Sequence, residues 1–128
     1  MEITPFFKKD HTAELAQWLL SRGESQELCD SLPAIGFMAK EGPQYIACMF
    51  LRMCEGGVGI IDSYATNPEI ISTKRHEAIE KLLDEVIAST RIFKIKRLIA
   101  FSIDKGTIER GVKRGFKVQK HTLFALKT

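Results

Sequence analysis

Three side chains that carry or can carry positive charge, Lys74, Arg75 and His76, stand together at the start of the longest helical pattern in the chain. Cations in a first helical turn oppose the helix dipole, at roughly 0.3–1 kcal/mol per exposed charge, so the cluster asks for an anion. The unpaired N–H groups of that turn would help to hold one. Two readings are open: a phosphate-bearing ligand gripped by side chains, or a solvated helix start. Other chemistries lack their residues. There is no Gly-x-Ser-x-Gly, no Walker loop, and no His pair or Cys cluster with metal-ligand spacing, so no metal is expected. Cys29, Cys48 and Cys54 are odd in number and read as reduced thiols, with Cys48 and Cys54 in core or sheet positions.

The elements that would position the cluster follow from periodicity and breakers. Val58 to Thr66 reads as a strand stopped at Asn67-Pro68. A helix over about Thr73 to Thr90 then carries Ile79, Leu82, Leu83, Val86 and Ile87 as one apolar stripe, with Ser72 or Thr73 as its cap. Upstream, a short strand over Glu2 to Phe7 precedes a helix from Asp10 to Arg22, stopped by Gly23, in which Trp18 packs as core and His11 lies at the surface. Gln26 to Leu32 suggests a second short helix. Strands at Ala34–Lys40 and Gln44–Met53 are joined by Glu41-Gly42-Pro43, and Glu55-Gly56-Gly57 leads into Val58. Tight turns make these three strands antiparallel neighbours.

Downstream, Arg97 to Ser102 is a fifth strand, parallel to the fourth because a helix makes the crossover. A helix over Lys105 to Arg114 stops at Gly115, and the tail from Phe116 to Lys127 is β-rich, with a bend at Lys120-His121. The 128 residues show no repeat or linker and predict one domain over 1–128. With 45% hydrophobic and 27% charged residues they read as a soluble, cytoplasmic protein without a signal or membrane segment. A net charge of +3 is too small to argue for nucleic acid. The basic residues Lys94, Lys96, Arg97, Lys113, Arg114, Lys117 and Lys120 lack interleaved exposed aromatics and read as a solvated face.

The order β-α-(α)-β-β-β-α-β-α-β resembles the GNAT acyltransferase superfamily over almost the whole chain. The local patterns that carry it are IGFMAKEG, the strand end Thr66-Asn67-Pro68, the pair Leu82-Leu83, and Arg114-Gly115-Phe116 after the last helix. The resemblance implies an α+β fold: a mixed, mostly antiparallel sheet of about six strands, flanked by helices and splayed between strands four and five. A fainter likeness is to small GNAT-like proteins encoded by bacteriophages, some of them virion components.

Such a resemblance implies acetyl-CoA as cosubstrate, lying in the splayed wedge. Tyr64, Ala65 and Thr66 would offer free backbone groups to the pantetheine arm, with Ser102 near it. The family's phosphate loop, Arg/Gln-x-x-Gly-x-Gly/Ala, falls here on Lys74, Arg75, His76, Glu77 and Ala78, without a glycine. A side chain where glycine is usual hinders close approach of backbone to phosphate. Asp62 falls where the family's acidic residue stands, either as a general base or as an exposed carboxylate paired with a neighbouring Lys or Arg. The family's tyrosine position holds Gly111, and Asp104, in the coenzyme-binding set, stands where an asparagine is common; Tyr64 is either the substitute acid or a packing residue on a sheet face. The expected activity is transfer of an acetyl group to an amine, on a small molecule or a protein, by direct attack. The alternative is a catalytically degenerate GNAT-fold protein used for binding or assembly. A shortened last hairpin, with His121 on its tip, would leave a sheet edge free for a homodimer.

Overall fold

Alternation along the longest strand sorts the interior into two layers. The computed structural model describes residues 1–24, 26–102, 104–120 and 124–126. Strand β3 (Gln44–Cys54) turns Cys48 and Phe50 to one face and Ala47, Met49 and Leu51 to the other. On the first face lie α1 (Lys8–Ser21) and α2 (Gln26–Asp30), which bring Leu15, Trp18, Leu19 and Cys29 into the same cluster. The long helix α3 (Ser72–Ile92) covers the second face with Ala78, Ile79, Leu82, Leu83 and Val86, the stripe expected from its spacing.

The remaining strands are β1 (Glu2–Pro5), β2 (Ile35–Glu41), β4 (Val58–Thr66) and β5 (Arg97–Ala100), and α4 (Lys105–Lys113) follows β5. They form one sheet in the order β1-β2-β3-β4-β5, antiparallel except for the β4–β5 pair. The turns need glycine: Gly42, Gly56 and Gly57 have φ of 60°, 75° and 75°. Asn67 ends β4 by donating its side-chain amide to the Tyr45 carbonyl and accepting from the Glu69 N–H.

Several expectations need correction. The sheet has five strands among the described residues, not six: Phe116–Lys120 and residues 124–126 carry no strand, and His121 lies outside the described residues. The cap of α3 is Ile71, with no side-chain cap bond from Ser72 or Thr73. His11 is buried rather than exposed. Its Nδ1 accepts the Phe7 N–H at 2.9 Å, taking the role of a capping side chain for α1, and its ring packs against Phe6 and Tyr45. Burial lowers the His11 pKa below its usual 6.5, Asp10 opposes that and Lys40 adds to it.

A group whose folded pKa is depressed in this way is held neutral, so the unfolded chain binds more protons just below pH 6.5. Stability from His11 is therefore present above that pH and declines as pH falls through it. We expect the melting temperature to drop between pH 7 and 5.5 and the His11→Gln variant to flatten that slope; an unchanged slope would remove His11 as the cause. Cys48, fully buried, has its thiol pushed up to about 12 by desolvation, whereas Cys54 is exposed.

Candidate functional site

Strand β4 outruns its neighbour. Pairing with β5 ends at Ile61–Ala100, and β4 continues through Asp62, Ser63, Tyr64, Ala65 and Thr66 with no partner on that edge among the described residues. A bulge opposite Phe50 and Leu51 adds to the divergence, because Phe50 pairs with Ser63 while Leu51 pairs with Ile61, leaving Asp62 as the extra residue. The opening is a cleft of about 1070 Å³ that reaches both faces of the sheet. Leu19, Arg22 and Leu28 line it from the α1–α2 side, Ile79 and Leu83 from the α3 side.

At the tip of β4 a smaller cavity of about 260 Å³ is lined by Arg22, Tyr64, Thr66, Ser72, Arg75, His76, Ile79, Asp104 and Arg110. Four of these side chains are cationic or can become so, and one is a carboxylate. The uncapped start of α3 borders it through Ser72. Asp104 is already committed: it caps α4, accepting the Thr107 N–H and the Thr107 hydroxyl, each at 2.8 Å, and the hydroxyl bond, then the N–H bond, lowers its pKa. Because the one hydroxyl proton of Thr107 goes to Asp104, the 2.9 Å contact between Tyr64 Oη and Thr107 Oγ1 has Tyr64 as donor. The phenol oxygen therefore keeps its lone pairs for another donor.

The basic cluster does not act as one unit. Lys74 turns away to Glu41, at 3.1 Å, and to Glu77, and the Glu41 hydrogen bond raises the Lys74 pKa. His76 meets Arg110, Nδ1 to Nη2 at 2.8 Å, and Glu80. Arg75 lines the cavity, and its Nε is buried without a hydrogen-bond partner among the described residues. Ala78 is fully buried in the α3 core and lies beyond the first turn, so the free N–H groups of the helix start belong to Ser72 and Thr73 instead.

Asp62 and Tyr64 are not brought together. Asp62 accepts from Arg52 Nε at 2.6 Å, and Arg52 also donates to the Ser31 carbonyl behind α2. Tyr64 packs with the α3 cluster on the other face. Ala65 is buried among the α1-side residues, and Thr66 accepts a hydrogen bond from Arg22 Nη2. Ser102 is exposed, its hydroxyl accepting the Asp104 N–H at 3.0 Å. Sequence reasoning missed Arg22, Thr107 and Arg110. Thr107 was within reach, since an Asp three residues ahead of a Thr is cap spacing; Arg22, at the C-cap of α1, carries no local signal.

Among the described residues no group of three or more His, Cys, Asp or Glu could hold a metal, and no helix is long and apolar enough to cross a membrane. No protein-family model matches the chain, and no curated protein matches it. Solved structures do. The aminoglycoside N-acetyltransferase AAC(6')-Iy in complex with CoA superposes with a TM-score of 0.68 at 14% identity, covering 99% of each chain. The IAA acetyltransferase from Bacillus cereus gives 0.72 at 16% identity over 93% of this chain and 78% of its own. A ribosomal-protein-alanine N-acetyltransferase from Brucella melitensis gives 0.71 at 10% identity over 99% and 98%. The fold is that of the GNAT acetyltransferases.

Proposed function

We propose that the chain is an acyl-CoA-dependent N-acyltransferase that passes an acetyl group to an amine. The observation that carries this reading is the cationic cavity at the tip of β4, where the Arg22 and Arg75 guanidinium groups lack a carboxylate partner among the described residues. An anion placed there lies beside the unpaired β4 edge, so an amide-rich arm extending from it meets the edge-facing backbone groups of Tyr64 and Thr66, while those of Ala65 turn towards β3. In this reading Ser72, Thr73 and Arg75 face the pyrophosphate, His76 supports Arg110, and Asp104 with Thr107 sets the Tyr64 phenol. Lys74, Glu77 and Ala78 leave the binding set, and Ser102 serves through Asp104. The acceptor amine, of a small molecule or a protein, enters from the α1–α2 side.

Direct attack forms the amide N–C bond, breaks the C–S bond, and requires the ammonium proton to leave and the thiolate to gain one. Asp62, a carboxylate that lines the cleft, is the candidate base, and the Tyr64 hydroxyl the candidate acid. A binding-only role has one observation in its favour: Asp62 is held by Arg52 and Gly111 offers no hydroxyl, so neither family-type proton group stands free. Titration with acetyl-CoA separates the outcomes. At about 100-fold excess over Kd, stabilisation is about 2.7 kcal/mol, a rise in melting temperature on the order of 8 °C. Binding with release of free CoA in a panel of amines supports the transferase, binding without turnover supports a degenerate protein that still holds the coenzyme, and no shift up to millimolar ligand overturns the coenzyme reading in favour of a scaffold used for binding or assembly.

A further inference from the structure

Two guanidinium groups approach the small cavity from different elements. Arg22 is the C-cap of α1, with its own N–H tied to the Leu19 carbonyl at 3.1 Å, and α1 is fixed by Leu15, Trp18 and Leu19 in the core on its side of the sheet. From there the Arg22 guanidinium reaches the tip of β4 and donates to Thr66 Oγ1, a neutral partner. Arg75 comes from the first turn of α3, on the opposite face, with its Nε buried and unpartnered among the described residues. The other basic side chains nearby have carboxylate partners: Lys74 has Glu41 and Glu77, and His76 and Arg110 share Glu80 with Arg114. The guanidinium groups lining the cavity without a carboxylate partner among the described residues are thus two planar forks facing one space.

Resting on the coenzyme reading above, we infer that Arg22 clamps the pyrophosphate of the coenzyme against Arg75, exchanging the Thr66 hydroxyl for a ligand oxygen. The chemistry suits the pair. A pyrophosphate presents two adjoining anionic phosphoryl groups, and a guanidinium binds such oxygens bidentately, which a lysine point charge does not. The clamp also accounts for a start of α3 without glycine. Where Cβ atoms keep backbone N–H groups from crowding a phosphate, long side chains from two sides can reach it instead. Charge-assisted bonds of this kind substitute for a cradle of amides.

The test is calorimetric titration of CoA and of pantetheine, which lacks the phosphates, into wild type, Arg22→Met, Arg22→Lys and Lys74→Met. Loss of one charge-assisted contact should weaken CoA binding about 10- to 100-fold in Arg22→Met and leave pantetheine binding unchanged. Arg22→Lys should recover part of the loss, and Lys74→Met should stay within about twofold of wild type, because its ammonium is already paired. The wild-type affinity for CoA, and not that for pantetheine, should fall on raising salt. Wild type that binds CoA while Arg22→Met binds it equally well overturns the clamp and spares the coenzyme reading. Wild type that binds no CoA overturns both. Equal loss for CoA and pantetheine in Arg22→Met would assign the effect to distortion of the β4 tip and also overturn the clamp.

Discussion

Replacing Phe50 by alanine is expected to cost about 3–5 kcal/mol of folding stability, a large share of the 5–15 kcal/mol typical of a single domain. Phe50 is among the largest fully buried side chains, and its ring meets Phe6 edge-on with centroids 4.8 Å apart. It also fills the space above Gly36. A Cβ built on Gly36 would stand 2.6 Å from the Phe50 ring, closer than real Cβ atoms come. Gly36→Ala alone should therefore destabilise by about 1–3 kcal/mol through overpacking. The two sites are in contact, so their effects should not add: Phe50→Ala with Gly36→Ala should cost less than the sum of the single changes. Urea unfolding of the four proteins measures this, and simple additivity would show that the ring and the glycine do not share the space. The consequence reaches the candidate site, because the same cluster seats α1 and hence Arg22. Surviving folded Phe50→Ala protein should bind CoA more weakly although the residue touches neither cavity.

What the sequence made legible were features with local causes. β4 runs over Val58–Thr66, between the Glu55-Gly56-Gly57 turn and Asn67-Pro68 as those breakers require, and the α3 stripe faces the core as its spacing requires. The β2–β3 and β3–β4 connections follow from glycine-bearing turns. What was not legible depends on distant partners. The Lys74 charge is taken by Glu41 across 33 positions, and Arg22 meets Thr66 across 44; no window of sequence holds both members of either pair. His11 looks like a polar residue at a helix start until Phe6 and Tyr45 close over it. The bulge that makes Asp62 the extra residue is likewise a property of the β3–β4 register. The clearest failure of local reasoning was the first turn of α3, where three adjacent cations were read as a group. The fold sends Lys74 to β2, pairs His76 with Glu80 at the cavity rim, and leaves Arg75 there without a carboxylate partner among the described residues.

Glu80→Gln should loosen α4 far more than the rest of the molecule. No residue of α4 is buried, so packing contributes little to its docking. Its ties are polar: Arg110 Nε lies 3.4 Å from Glu80, Arg114 donates to Glu80 and, at 2.7 Å, to Asp84, and Thr107 meets Tyr64. The charges concerned are shielded, with side-chain exposures of 14% for Arg114, 18% for Arg110 and 24% for Glu80. Burial raises the Glu80 pKa, but hydrogen bonding and charge from Arg114, with His76 and Arg110, outweigh it and leave the group below its usual 4.5. A depressed carboxylate contributes stability that is present at neutral pH and lost as pH falls through its folded value. Glutamine keeps the shape and removes the charge, leaving two poorly hydrated guanidinium groups with Asp84 as the remaining acid. We expect a local loss of about 1.5–3 kcal/mol, read as amide exchange in α4 faster by about 10- to 100-fold at pH 7. Exchange in β3 and in the middle of α3 should change little. The wild-type protein should approach the same behaviour as pH falls through the lowered folded value of Glu80, below the usual 4.5, since protonation does to Glu80 what the substitution does. Unchanged α4 exchange in the variant would mean that Thr107 and the apolar residues Ile108 and Val112 suffice to hold the helix. Because Ile108, Gly111 and Val112 line the larger cleft, a loosened α4 should also weaken CoA binding, with Arg22 and Arg75 intact.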